Sequence, residues 1–402
     1  MNEREQKIKE LVKKYEDDII KFAQEIVRTK SYSGQEEKLV RLFESKMKEL
    51  GFDEVIIDKT GNIIGRVGNG KTKILYDAHI DTVEAEDREN WHYDPFGGEI
   101  VDGKLYGRGS TDEKAAMASM IYGAKILKEV GIPEDVSLYI SGTVQEEVCD
   151  GLTIGYLINE VVKPDFVVLC EPTSLDIYRG HRGRVEVSIT TKGKSAHAAH
   201  PNRGDNAIYR MAKTVVNIEK LTETFKEDPF LGKGTAVVSI IESKSPSINS
   251  VPYECTIYID RRLTIGETKE SAIEEFKTTF VDPDKTDIKV LTFEGVSWTG
   301  RKISQEKYFP TWVLEEDHPL VKAGFEAAKV ARPNEDVKVS RWIFSTNGVT
   351  TMGRYHIPSI GFGPGDEWLA HAVDEYVRVS DLTKAAVFYA AFPYYLTEKI
   401  KK

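Results

Sequence analysis

The sequence has little cysteine, no long apolar run and no excess of positive charge, and each shortage removes a class of protein. Its three cysteines, Cys149, Cys170 and Cys255, form no CxxC pair and no even disulfide framework. They suit a reducing compartment, as small buried apolar side chains. No stretch reaches the apolar length needed to cross a bilayer, and residues 1–30 mix charges with apolar residues instead of forming a secretion signal. A cytoplasmic location is expected. The formal charge of −10 argues against a nucleic-acid binder, which needs a basic stripe to meet phosphates. A GxSxG elbow is missing, and Cys149 and Cys170 have no evident histidine partner, so a nucleophilic serine or cysteine is not indicated.

What is present is a chain of 402 residues, 40% hydrophobic and 30% charged, long enough for two globular domains. Apolar residues at helical spacing predict amphipathic helices over 1–30 and 34–51. Short β-branched runs at 54–58, 62–67 and 73–76 predict strands. A buried helix over 112–130, rich in Ala and Met, is stopped by Gly131-Ile132-Pro133. A strand at 136–143, a helix near 153–160 and a strand at 166–170 continue an α/β layer with a mostly parallel central sheet. After Arg179 the order changes to β-α-β-β-α-β, with strands at 184–192, 235–242, 254–261 and 287–292 and helices at 205–221 and 267–280. That is the ferredoxin-like pattern. The α/β pattern resumes with a helix at 320–331. The expected organisation is therefore one domain made of residues 1–179 and 294–402, with residues 180–293 inserted.

The chemistry-bearing residues fall just after strands, where α/β sheets place their sites. His79-Ile80-Asp81 follows one strand, Glu146-Glu147 another, and Glu171 closes a third. Asp112 precedes the Ala-rich helix, and His371 lies in a Gly-rich region near the C-terminus. Singly, each has an ordinary structural explanation: a helix-capping Asp, a solvated Glu pair, a loop His. Together they supply imidazoles and carboxylates in a mixture that suits zinc or a similar first-row divalent ion. One carboxylate bridging two ions, with another as general base, is what a metal-assisted hydrolase requires.

The stretches Asp77–Asp81, Tyr106–Lys114, Thr143–Glu147, Cys170–Pro172, Gly193–Ala207 and Ala370–Glu375 together resemble the M20 metallopeptidase family. That group includes acetylornithine deacetylase, succinyl-diaminopimelate desuccinylase, aminoacylase-1 and carboxypeptidase G. The resemblance implies a zinc-exopeptidase-like catalytic domain with an inserted ferredoxin-like lid, a homodimer formed through that lid, and two divalent ions, zinc or else cobalt or manganese. By it, His79, Asp112 and Glu171 would hold one ion, and Asp112, Glu147 and His371 the other. Glu146 would be the general base, Asp81 would orient His79, and His197 would act from the second subunit, with His200 a bystander. Asn249, Arg262, Gly348 and Arg354 would hold a small, carboxylate-bearing substrate cleaved at an amide, peptide or ureido C–N bond. Met352 stands where several relatives carry an acidic residue, so the resemblance does not extend to any named relative's substrate. The lead-in Thr346-Asn347-Gly348 and the run Gly361–Gly365 resemble a branch of selenium-metabolism-linked hydrolases.

Two rival functions compete with this reading. Gly65–Thr72 spells a phosphate-binding loop, but a strand follows it where that loop needs a helix, and Gly68-Asn69-Gly70 reads as a hairpin turn. The other is a catalytically silent metal-binding module, which a missing Glu146 would have favoured; Glu146 is there.

Overall fold

The computed structural model describes residues 2–86 and 88–400. Its centre is an eight-stranded sheet in the spatial order Glu54–Ile57, Ile63–Gly68, Val136–Thr143, Thr72–His79, Phe166–Leu169, Ser359–Gly361, Ile177–Tyr178, Val339–Ser340. From Val136–Thr143 to Ser359–Gly361 neighbouring strands are parallel, so their C-terminal ends open on one edge. Thr72–His79 is buried from Ile74 onward because both of its faces are covered. Ile74 and Tyr76 pack with the helices Glu3–Arg28, Ala116–Val130, Pro319–Ala331 and Val379–Ile400, whereas Leu75 faces Leu157, Trp312 and Trp342. Among the described residues no helix is long and apolar enough to cross a membrane.

The second sheet has the order Thr235–Lys244, Glu254–Leu263, Gly183–Lys192, Thr286–Val290, every neighbour antiparallel, as a ferredoxin-like arrangement requires. Val187, Ile189, Ile257, Met211 and Phe276 form a core separate from that of the main sheet. The return is less direct than the sequence suggests. After Thr286–Val290 a ribbon of Thr292–Val296 and Lys302–Glu306 lies between, with Trp298 against the main core, and then Tyr308–Phe309 pairs back onto Gly183–Lys192.

Two local expectations are corrected. Gly68-Asn69-Gly70 is not a hairpin turn, because Val136–Thr143 lies between the strands it joins. The loop presses on that middle strand, and a Cβ on Gly70 would fall 2.1 Å from the main-chain nitrogen of Val136. The helix expected from Asp112 begins at Ala116, after a tighter turn in which the N–H groups of Ala116 and Met117 donate to the carbonyls of Glu113 and Lys114, three residues back.

His181 sits where the chain passes between the sheets. It is buried; its Nδ1 donates to the Arg182 carbonyl at 2.8 Å and its Nε2 accepts the Trp312 indole N–H at 2.7 Å. Burial pushes its pKa down to about 4, against 6.5 for the free side chain, so it folds neutral. The unfolded chain then binds the extra proton first. His181 thus costs nothing above pH 6.5 and withdraws stability progressively as pH falls from 6.5 to about 4, by about 3 kcal/mol in full. His181→Gln should flatten that part of the stability–pH curve in denaturant titrations; identical curves for the two proteins would show that His181 is not the titrating group.

Candidate metal centre

The four parallel strands deliver the site from their C-terminal ends. His79 ends Thr72–His79, Glu146 and Glu147 follow Val136–Thr143, Glu171 follows Phe166–Leu169, and the segment after Ser359–Gly361 leads to His371. His79 Nε2 lies 3.0 Å from Asp112 Oδ1 and 3.9 Å from Glu171 Oε1. His371 Nε2 lies 3.2 Å from Asp112 Oδ2 and 3.0 Å from Glu147 Oε2. Asp112 therefore faces one imidazole with each oxygen, which is the arrangement of a bridging carboxylate. Two overlapping groups have ligand atoms within 4.8 Å of one another: His79 with Asp112 and Glu147, and His79 with Glu113 and Glu171.

Asp81 meets the His79 ring chiefly through its main chain. Its carboxylate is 3.8 Å from His79 Nδ1, whereas its main-chain carbonyl accepts from that nitrogen at 2.9 Å. The carbonyl thus fixes the tautomer that leaves Nε2 free to bind a cation. The carboxylate instead accepts the N–H groups of Glu146 at 3.0 Å and Glu147 at 3.2 Å, and the Ser33 hydroxyl at 2.6 Å. Arg108 and Glu375, a buried pair at 2.7 Å, tie the Asp112 turn to the His371 segment, where Arg108 also donates to the His371 carbonyl at 3.3 Å. Gln145 and His371 both hold positive φ, 55° and 61°, a conformation that side-chain-bearing residues keep only where surrounding contacts impose it.

Burial drives the carboxyl groups of Glu113, Glu146 and Glu171 well above the usual range, and neighbouring carboxylates add to it. Burial would raise Asp112 as well, but hydrogen bonds with His371 and His79 hold it below the usual range. His371 is pushed up to about 10 by its hydrogen bonds to Asp112 and Glu147. Such a cluster has more buried negative charge than its imidazoles balance. Glu146 Oε1 and Glu113 Oε2 are buried with no hydrogen-bond partner among the described residues. Nitrogen and oxygen donors around unsatisfied carboxylate charge fit divalent ions, which displace the imidazole protons on binding.

The donors floor a cavity of about 330 Å³ whose walls carry Asp150, Arg184, Arg262 and Ser345. Of the expected substrate groups, only Arg262 lines it; its Nε and Nη2 are held by Asp260 at 2.8 and 3.1 Å. Gly348 lies against Trp312 in the interior, and Arg354 turns to the Gln305 side chain at 3.1 Å, so neither lines the wall. His197 and Asn249 lie together, exposed, in the second sheet's domain, with the Ala198 N–H donating to the Asn249 carbonyl at 2.8 Å. Both are outside the cavity lining. Sequence reasoning missed Glu113, Asp150 and Arg184. Asp150 shares the Glu146–Gly151 turn and Glu113 adjoins Asp112, so proximity was a usable signal for both. Arg184 alternates in a strand like any solvent-facing residue and carries no such signal.

A profile of the peptidase family M20/M25/M40 matches residues 75–394. The chain is 43% identical over 388 residues to the uncharacterized protein YgeY of Escherichia coli K12, covering 96% of each. It is 27% identical over 388 residues to succinyl-diaminopimelate desuccinylase of Cereibacter sphaeroides, covering 92% of this chain and 97% of that one. Among solved structures, the YXEP protein of Bacillus subtilis, a dinuclear metal-binding peptidase of the M20 family, superposes with a TM-score of 0.70 at 14% identity. That match spans 95% of this chain and 98% of the other.

Asp150 accepts from Arg184 Nη2 at 2.8 Å and also holds the Ser345 hydroxyl, so one carboxylate joins three segments of the wall. Asp150→Ala and Arg184→Ala should each lower unfolding stability by about 3 kcal/mol, because each strands a largely buried charge. The double variant should lose clearly less than the sum, with a coupling of about 1–3 kcal/mol in denaturant titrations. Strict additivity would show that the pair contributes no mutual stabilisation.

Proposed function

The chain belongs to peptidase family M20/M25/M40, and from that premise we propose that it is a two-metal hydrolase cleaving an amide, peptide or ureido C–N bond of a small, carboxylate-bearing substrate. The observation that carries this reading is Asp112, with one oxygen toward His79 and the other toward His371. His79, Asp112 and Glu171 would hold one ion, and Asp112, Glu147 and His371 the other, zinc being the first choice for donors of this kind. Ions so placed supply polarisation of the scissile carbonyl and acidification of water. The rest is done by the chain.

Glu146 is positioned by two features: its main-chain N–H is anchored on Asp81, and its Oε1 has no competing partner among the described residues. Its carboxylate takes the proton of the attacking water and passes it to the departing nitrogen. Arg262 offers Nη1 to a substrate carboxylate while Asp260 holds the opposite edge of the guanidinium. We assign residues 1–179 and 294–402 to the metal-bearing unit and 180–293 to the lid. His197 and Asn249, exposed and outside their own cavity, would complete the site of a second subunit. In support of a lid-mediated homodimer, Val237, Ile240 and Ile241 on the edge strand Thr235–Lys244 are more than half exposed, as is Tyr209 on the adjoining helix Ala207–Glu223. Three free, buried cysteines are consistent with a reducing, cytoplasmic setting.

Metal content should be about two equivalents per subunit, with activity on a panel of N-acyl amino acids, dipeptides and ureido acids that a chelator abolishes and zinc, cobalt or manganese restores. Glu146→Gln should keep the metal and lose activity roughly 100- to 10,000-fold. No metal uptake by the wild-type protein would end the hydrolase reading. Mixing Glu146→Gln with His197→Ala subunits should restore part of the activity. Fully exchanged heterodimers that stay inactive would place His197 outside the partner's reaction.

A further inference from the structure

Glu113 is a buried carboxylate with one oxygen idle. It is 2% exposed and lies in the turn between Asp112 and the helix Ala116–Val130. Its Oε1 accepts the main-chain N–H of His79 at 2.6 Å, which pins the group beside the histidine of the first ion position. Its Oε2 has no hydrogen-bond partner among the described residues. One oxygen of Glu113, one of Glu171 and a ring nitrogen of His79 lie within 4.8 Å of one another. The adjacent Lys114 gives no compensation, because its ammonium is spent on the Thr29 carbonyl at 2.7 Å and the Ser31 hydroxyl at 3.2 Å. Capping one N–H needs only one oxygen, and a neutral Gln would provide it without burying a charge. The second oxygen is therefore left without a structural purpose.

We propose that Glu113 is a further carboxylate donor to the ion at His79 and Glu171, and that it makes the two ion positions chemically unlike. This rests on the two-metal reading above. The first position then has one imidazole among the carboxylates of Asp112, Glu113 and Glu171, all buried. The second has Asp112 and Glu147 with His371, whose side chain is 52% exposed. Carboxylate-rich sets accommodate manganese and magnesium, whereas sparser sets with imidazole suit zinc. Glu113 thus shifts the relative preference of the first position from zinc toward manganese.

The test is calorimetric titration of metal-free full-length protein with manganese and, separately, zinc, together with the electron paramagnetic resonance signal of bound manganese. Glu113→Gln keeps an oxygen for the His79 N–H and removes the charge. It should weaken manganese at the His79–Glu171 position at least about tenfold, the scale of loss when a group supporting a metal site is removed, while zinc changes much less and the position at His371 is unaffected. Glu113→Asp, which keeps the charge but shortens the reach, should also alter the manganese signal. Equal loss of both metals would overturn the preference for manganese, and no loss of either in both variants would reduce Glu113 to a backbone cap. Two ions in the wild type with an unchanged Gln variant overturns only this inference; no ion in the wild type overturns the two-metal reading beneath it.

Discussion

Everything at the centre of this molecule turns on the burial of carboxylates at one edge of a parallel sheet. Asp112, Glu113, Glu146 and Glu171 are each less than a tenth exposed, and burying an ionised carboxylate without compensation is among the most expensive things a protein does. The parallel strands force the arrangement, because their C-terminal ends bring separate segments of sequence to one point. The imidazoles of His79 and His371 balance part of the charge. What remains defines the site's chemistry: a place built to be completed by cations.

Buried acids hold the main chain around the proposed donors. The Gln145 N–H is accepted by Glu36 at 3.2 Å, those of Glu146 and Glu147 by Asp81, those of Thr111 and Asp112 by Glu375, and that of His79 by Glu113. Each ligand-bearing turn in that set thus has main-chain donors fixed by a buried acid. Charged acceptors make stronger hydrogen bonds than neutral ones, and these act on the main chain, so they set the position of a Cα as well as a side chain. The price appears in Glu36, pushed up to about 8 by burial and by Asp81. Orientation of the donors is what this second ring of acids secures.

Much of this was legible in the sequence because it rests on local pattern. Periodicity located the strands beneath His79, Glu147 and Glu171 and the two sheets' different orders, since alternation and 3.6-residue spacing are properties of neighbouring residues. What escaped was long-range. Gly68-Asn69-Gly70 has the composition of a hairpin, and only the insertion of Val136–Thr143 between its strands makes it a crossover. Asp81 looked like the partner of its neighbour His79, yet a tight turn gives that role to its carbonyl and sends its carboxylate to residues 65 and 66 positions away. Arg184 was invisible because its significance lies in Asp150, which pairs with it across the cavity.

That pairing bears on how the two sheets cooperate. The turn carrying Glu146 is gripped from the side of the second sheet as well as from the first. Arg184 of Gly183–Lys192 holds Asp150, Gln305 donates to the Asp150 carbonyl at 3.1 Å, and Gln145 donates to the Val296 carbonyl at 3.0 Å. The last two partners lie in the ribbon by which the chain returns from the second sheet. A change in the placement of that sheet therefore cannot leave the turn untouched, since Arg184, Gln305 and Val296 move with the segments that join it. Closing motions in hydrolytic enzymes commonly exclude water and complete the catalytic set in one step. Here the connection is made of hydrogen bonds to Gln145 and Asp150, on either side of Glu146 and Glu147, so the geometry of that turn and the position of the second sheet are mechanically coupled.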